Sequence, residues 1–211
     1  MLHMSAYGPE YQHYGYCVER AKRPSRRVYD IFRHTSPVRE SVKRGDKILD
    51  IGSGVGENGH DLRWLGVTTY SMDMSMYAQQ KSAEVFGIES HNIKLVGNAL
   101  DLPFPNKSFN FATCLDVFEH LPPHQILQVL NELKRVVSGN RMFVKLTPTE
   151  DVVNIDIDPT HITKWSESKW TEWFNKNMWK TLINPTRNLF GKTIHGNFLL
   201  EKIESPKVQL I

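Results

Sequence analysis

Apolar residues fall in short unbroken runs closed by glycine, proline or a carboxylate, and these runs alternate with stretches where they recur at three and four. Ile48, Leu49 and Ile51 make the first run, of the kind expected of a central strand covered on both faces. Further strands are predicted at residues 67–72, ending at Asp73, at 93–96, at 109–117 and through Met142, Phe143, Val144 and Leu146. A short helix is expected around Leu62, Trp64 and Leu65. A longer one follows Pro122 and Pro123, which suit a first helical turn, and carries Ile126, Leu127, Leu130, Leu133 and Val137 as its buried stripe. Ser166 can cap a third, with Trp170, Trp173, Phe174 and Met178 on one face. Two short strands close the chain, near 181–183 and 194–203. The alternation predicts an α/β fold, a doubly wound and mostly parallel sheet with helices on both faces and an antiparallel ending.

The first strand runs into Gly52-Ser53-Gly54-Val55-Gly56-Glu57, with Asp50 at its mouth. Three absent side chains allow a sharp turn and let a ligand approach backbone. A dinucleotide fingerprint requires its third glycine at position 57, which is Glu57, so the spacing is G-x-G-x-G instead. Asp73, at the tip of the second strand about 20 residues on, is placed to grip a ribose diol; a helix N-cap is the commoner role for such a residue where no glycine turn precedes it.

Asp50 with Gly52, Gly54 and Gly56 resembles motif I of the class I S-adenosylmethionine-dependent methyltransferases. Three further stations resemble that family in order: Asp73; the loop 97–105 after the third strand; and Asp116-Val117-Phe118-Glu119-His120-Leu121 after the fourth. The resemblance covers roughly residues 45 to 175 and implies strand order 3-2-1-4-5-7-6. It also implies S-adenosyl-L-methionine as cofactor, S-adenosyl-L-homocysteine as product, and a cofactor site of Asp50, Gly52, Ser53, Gly54, Gly56, Asp73, Met74, Asn98, Ala99, Leu100, Asp116 and Val117. The chain departs from the family at Asn98, where a carboxylate usually meets the adenine amino group. An amide oxygen still accepts that bond, and a turn held by asparagine explains the residue equally well.

Candidate catalytic groups follow from where ligands bind in open α/β sheets, on loops at the carboxyl edge. His161 and His120 are the candidate bases, with Asp116 as partner or substrate anchor. A structural histidine is the competing reading for both. His161 with Asp156 and Asp158 offers donor types that a divalent cation accepts, but spacing alone fixes no geometry and no metal is assigned.

Composition narrows the picture. With 211 residues, 40% of them hydrophobic and 23% charged, the chain suits one globular unit: a domain over residues 46–211 preceded by a helical, aromatic segment over 1–45. Tyr7, Tyr11, Tyr14, Tyr16 and His13 in that segment serve either as a lid or as an anchor against the core. No apolar run approaches about 18 residues and no secretory signal opens the chain, so a cytoplasmic protein without membrane spans is expected. Cys17 and Cys114 make no disulfide framework, and Cys114 reads as a core residue.

The net charge of +3 does not argue for nucleic acid, although residues 19–47 hold ten Lys and Arg against four acids, enough to attract an anion locally. A solvated helix face explains the same run. No Asn/Asp-Pro-Pro-Tyr/Phe follows the fourth strand, which removes the usual base-amino methylases, and no proline follows Cys114, which removes a covalent cytosine mechanism. Methyl transfer to a hydroxyl or amine of a small molecule is the expected activity. The alternatives are an RNA or protein acceptor held by the basic segment, and a binding module that keeps the cofactor without catalysis.

Overall fold

The computed structural model describes residues 38–148, 158–183 and 196–203. Seven strands form one sheet: β1 (Lys47–Ile51), β2 (Thr68–Asp73), β3 (Asn92–Val96), β4 (Phe111–Leu115), β5 (Arg141–Lys145), β6 (Trp179–Ile183) and β7 (Asn197–Lys202). Their order is β3-β2-β1-β4-β5-β7-β6, as the resemblance implied. The pairs β1–β2, β1–β4, β2–β3 and β4–β5 are parallel; β7 runs antiparallel to both β5 and β6. Among the described residues, the α-helices that accompany them are α1 (Glu57–Leu62), α2 (Met76–Phe86), α3 (Pro123–Val136) and α4 (Glu167–Lys176).

Period-2 alternation of buried side chains explains why the sheet is covered twice. Leu49, Ile51, Met72, Ala112, Cys114, Met142, Val144, Phe198 and Leu200 face one core, which receives Ile126, Val129, Leu130 and Leu133 of α3 and Trp170 and Phe174 of α4. Ile48, Phe111, Phe143 and Leu199 face the other, with Val38, Leu62 and Val67. Each of the Val, Leu, Ile, Met and Phe side chains among them contributes roughly 1.5–3 kcal/mol on burial. The Cys114 thiol is fully buried and burial pushes its pKa up, which leaves it an inert core residue.

Several boundaries differ from the sequence expectation. Leu127 is 37% exposed, because α3 packs through 126, 129, 130, 133 and 136, and one step from Ile126 turns a side chain about 100° away. Met178 is not on the third predicted helix: α4 ends at Lys176, and Met178 takes a left-handed φ of 67° where the chain turns into β6. Trp64 is 69% exposed, on a 3-10 turn (Arg63–Leu65) that follows α1. Among the described residues, no helix is long and apolar enough to cross a membrane. The tyrosines of residues 1–37, and most of the basic run, lie outside the described residues.

Candidate active site

The carboxyl ends of β1, β2 and β4 bring the sequence motifs to one edge. Gly52 and Gly54 have φ of 65° and 53°, a left-handed region that favours glycine. At Gly52 a Cβ would lie 2.2 Å from Val117 Cγ2, so the loop after β4 packs directly on the glycine turn. The amide of Gly54 donates to Asp73 Oδ2 and that of Ser75 to Asp73 Oδ1, both at 2.8 Å. Asp73 therefore welds the turn to the start of α2, where Ser75 acts as N-cap by accepting from the Ala78 amide. It is not itself the cap.

Asp50 lies beneath the turn, 1% exposed. Its Oδ1 accepts from Thr113 Oγ1 at 2.6 Å and Asn58 Nδ2 at 2.8 Å, while its buried Oδ2 has no hydrogen-bond partner. Burial pushes this carboxyl up to about 6 against the pull of those two donors. Asn98 Oδ1 accepts from the Leu100 amide at 3.0 Å, an Asx turn. The loop after β3 is also held from α3: the Leu102 amide donates to Glu132 Oε2 at 2.8 Å, and Arg135 donates to the carbonyls of Leu102 and Phe104. Asn98, Ala99 and Leu100 thus sit on a braced turn beside the tip of β2, where the Gly97 amide donates to the Asp73 carbonyl.

Beyond β4 the chain passes through Asp116 at φ 55°, a conformation that costs a non-glycine residue about 1–2 kcal/mol and ends the strand at Leu115, short of the predicted residue 117. Asp116 is ion-paired with Lys145 of β5 through both carboxylate oxygens. Its charge reaches His120 electrostatically, but the imidazole's hydrogen-bond partner is Thr160.

His120 and His161, 41 positions apart, meet with ring centroids 4.6 Å apart and planes at 77°. Thr160 Oγ1 donates to Asp158 Oδ1 at 2.5 Å and lies 2.9 Å from His120 Nδ1. A hydroxyl has one proton to donate, so with that bond directed at Asp158 the oxygen accepts from His120 Nδ1–H, which fixes the tautomer. Burial, then the neighbouring His161, lowers the His120 pKa, which keeps it neutral near pH 7. Asp158 is held below the usual carboxylate range: partial burial pushes it up, and the Thr160 hydroxyl and amide together with His161 outweigh that. His161 Nε2 stands 3.9 Å from Asp158 Oδ2. Donor atoms of His120, Asp158 and His161 all lie within 4.8 Å of one another, so the trio is also a set that a cation could share. Asp156 lies outside the described residues.

Thr160 and Glu119 were not singled out from the sequence. Glu119 is 1% exposed, accepts from the Thr147 amide through Oε1 at 3.0 Å, and has a buried Oε2 without a hydrogen-bond partner. Burial, then the charge of Asp116, pushes its carboxyl up to about 8. Its carbonyl accepts from the Ile162 and Thr163 amides, which clamps the segment bearing His161 against the one bearing His120. An acidic residue flanking a histidine was the visible signal for it; nothing in the spacing marks Thr160.

Comparison with known proteins bears on the fold that presents this edge. Residues 49–144 match the family described as "Methyltransferase domain". A demethylmenaquinone methyltransferase of Listeria monocytogenes serotype 4a (strain HCC23) is 28% identical over 138 residues, 60% of this chain and 51% of its own length. The chain thus spans about half the length of the curated relatives it matches. An S-adenosylmethionine-dependent methyltransferase from Aquifex aeolicus superposes with a TM-score of 0.66 at 18% identity, covering 90% of this chain and 98% of that one. Magnesium protoporphyrin IX methyltransferase from Synechocystis PCC 6803, with bound SAH, gives 0.65 at 15% identity over 96% and 98%. At those identities the structural likeness speaks to the fold.

The fold and edge define a class I, Rossmann-like methyltransferase domain, with residues 49–144 matching the methyltransferase-domain family. Its cofactor is S-adenosylmethionine. The residues present fit that group. Asp50 Oδ2, beneath the glycine turn, is a buried acceptor without a hydrogen-bond partner, which suits a ligand carrying hydroxyl and ammonium donors.

Proposed function

We propose that the chain transfers the methyl group of S-adenosylmethionine to a hydroxyl or amine of a small-molecule acceptor, with His120 or His161 taking the acceptor's proton. The convergence of His120, Thr160, Asp158 and His161 at the carboxyl edge carries this reading. Bound there, the cofactor supplies a sulfonium methyl whose leaving group departs as a neutral thioether. The residues proposed to hold it are Gly52, Ser53, Gly54 and Gly56 with Asp50 beneath them, Asp73 and Met74 at the tip of β2, Asn98, Ala99 and Leu100 in the braced loop, and Asp116 and Val117 after β4.

The protein's own task is to align and desolvate the acceptor, a contribution that can reach roughly 7–11 kcal/mol. An amine need only be held unprotonated, whereas a hydroxyl must lose its proton as it attacks. A neutral His120 imidazole meets that need, and the Thr160–Asp158 link holds it in one tautomer. The names of two relatives, a demethylmenaquinone and a magnesium protoporphyrin IX methyltransferase, point to small acceptors and support the same class.

The test is methyl transfer from labelled S-adenosylmethionine into fractionated metabolite, RNA and protein pools. Label in the metabolite fraction, lost in a His120→Ala, His161→Ala double variant, is the expected result. Label confined to RNA or protein would move the acceptor to the other class.

A further inference from the structure

A second cluster of metal-ligating groups lies away from this edge. Glu89 and His91 flank the entrance to β3, and His60 stands on α1. We propose that His60, Glu89 and His91 form a binding site for a transition-metal dication of the zinc class, clamping α1 to the connection between α2 and β3.

The donor atoms of the three residues all lie within 4.8 Å of one another. Glu89 Oε1 is 2.5 Å from His60 Nδ1 and 3.5 Å from His91 Nε2, so one carboxylate oxygen faces two imidazole nitrogens. Zinc bonds to nitrogen and oxygen run at about 2.0–2.2 Å, which puts tetrahedral ligand atoms about 3.3 Å apart. The Glu89–His91 separation already matches, and the Glu89–His60 contact opens by about 0.8 Å to admit the ion. All three side chains are sheltered, at 12%, 9% and 28% exposure for His60, Glu89 and His91.

Neighbouring groups orient the ligands. Ser71 Oγ on β2 donates to Asn92 Oδ1 at 2.6 Å, and Asn92 Nδ2 donates to Glu89 Oε2 at 3.3 Å, which leaves Oε1 turned to the histidines. The His60 ring stacks on Phe86 with centroids 4.3 Å apart. His91 is tied to the sheet through its carbonyl, which accepts from the Thr69 amide at 2.7 Å. Lys94 Nζ lies 3.8 Å from Glu89 Oε2 and offsets part of its charge. The site therefore draws on imidazole ligation more than on anionic charge, which selects zinc-like ions over magnesium or calcium.

Binding here is a matter of fold rather than of methyl transfer. Because α1 begins directly after the glycine turn, an ion holding His60 restrains the helix on which that turn rests.

The experiment is calorimetric titration of zinc chloride into the full chain carrying His161→Ala, which removes the other histidine cluster. One zinc per chain is expected, with a rise in melting temperature. Adding His91→Ala, at the most exposed of the three ligands, is expected to weaken binding at least tenfold and abolish the rise, while the metal-free melting temperature stays put. Glu89→Gln serves as the second variant should His91→Ala unfold the chain. Absence of zinc binding to the His161→Ala chain, or binding undiminished by both ligand variants, overturns the proposal.

Discussion

Thr160 gives its hydroxyl proton to Asp158 and lies 2.9 Å from His120 Nδ1, so a threonine sets which nitrogen of a buried histidine carries hydrogen. A carboxylate–hydroxyl–imidazole chain does the orienting that a carboxylate alone performs in simpler dyads. Replacing Thr160 with valine removes the acceptor for Nδ1–H and frees the tautomer. If a hydroxyl is the acceptor, Thr160→Val lowers kcat and changes its pH profile while S-adenosylmethionine affinity stays the same. An unaltered pH profile would reduce Thr160 to a loop contact.

The two histidines are separable by kinetics. Loss of a general base costs typically 10²–10⁴-fold in rate. His120→Ala is expected to fall in that range with donor affinity preserved. His161→Ala is expected to depress turnover more than donor affinity too, since its ring and the charge of Asp158 border the same space. Full activity of either variant across the pH range assigns the base to the other.

Asp73 has two jobs, so its removal is expected to act twice. Asp73→Ala deletes the proposed ribose contact and the acceptors for the Gly54 and Ser75 amides. Hydrogen bonds to a charged group are worth about 1.5–3 kcal/mol each, so affinity for S-adenosylmethionine should drop at least tenfold. Asp73→Asn retains part of the backbone bonding and should lose less. Equal calorimetric affinities for all three proteins would place ribose recognition elsewhere.

At Gly52 the structure predicts a rescue. Gly52→Ala places a methyl 2.2 Å from Val117 Cγ2 at a left-handed φ, and is expected to destabilise the fold by about 1–3 kcal/mol in denaturant unfolding. Val117→Ala in the same chain should return part of that loss through their coupling. Strictly additive effects would mean that the two residues do not meet. Gly54→Val, at φ 53°, is expected to abolish donor binding; normal uptake would mean the turn faces something else.

Glu119 and Asp50 make stability depend on pH. Both folded-state pKa values lie above their ordinary ones, at about 8 and about 6, so the folded chain binds more protons than the unfolded chain in the intervening range. Stability therefore falls as pH rises from about 4 to 8, with the Asp50 contribution complete by about 6. Each proton held only by the folded state contributes a slope of up to about 1.4 kcal/mol per pH unit. Glu119→Gln should flatten the melting-temperature profile between pH 6 and 8 relative to the wild-type chain. An unchanged slope would place the titration on another group.

Much of this was legible along the chain because its causes are local. Buried strands announce themselves as apolar runs, and the turn after β1 needs residues without Cβ atoms. The end of β4 was harder to read, since the left-handed φ that stops the strand at Asp116 leaves no mark in the spacing of apolar residues. The face of α3 was misjudged by one position at Leu127 because adjacent apolar residues leave the stripe's centre undetermined. Sites assembled across the fold were least legible. Thr160 meets His120 from 40 positions away, and His60 meets Glu89 from 29, with no periodicity to link them.

The central claim is that the glycine turn, Asp73 and the loop at Asn98 form a cradle for an adenosyl group. Titrating S-adenosylhomocysteine into the purified chain in a calorimeter tests it without need of an acceptor. One molecule bound per chain, in competition with S-adenosylmethionine and weakened in Asp73→Ala, is the predicted result. A well-folded chain that takes up neither compound at millimolar concentration would contradict the account.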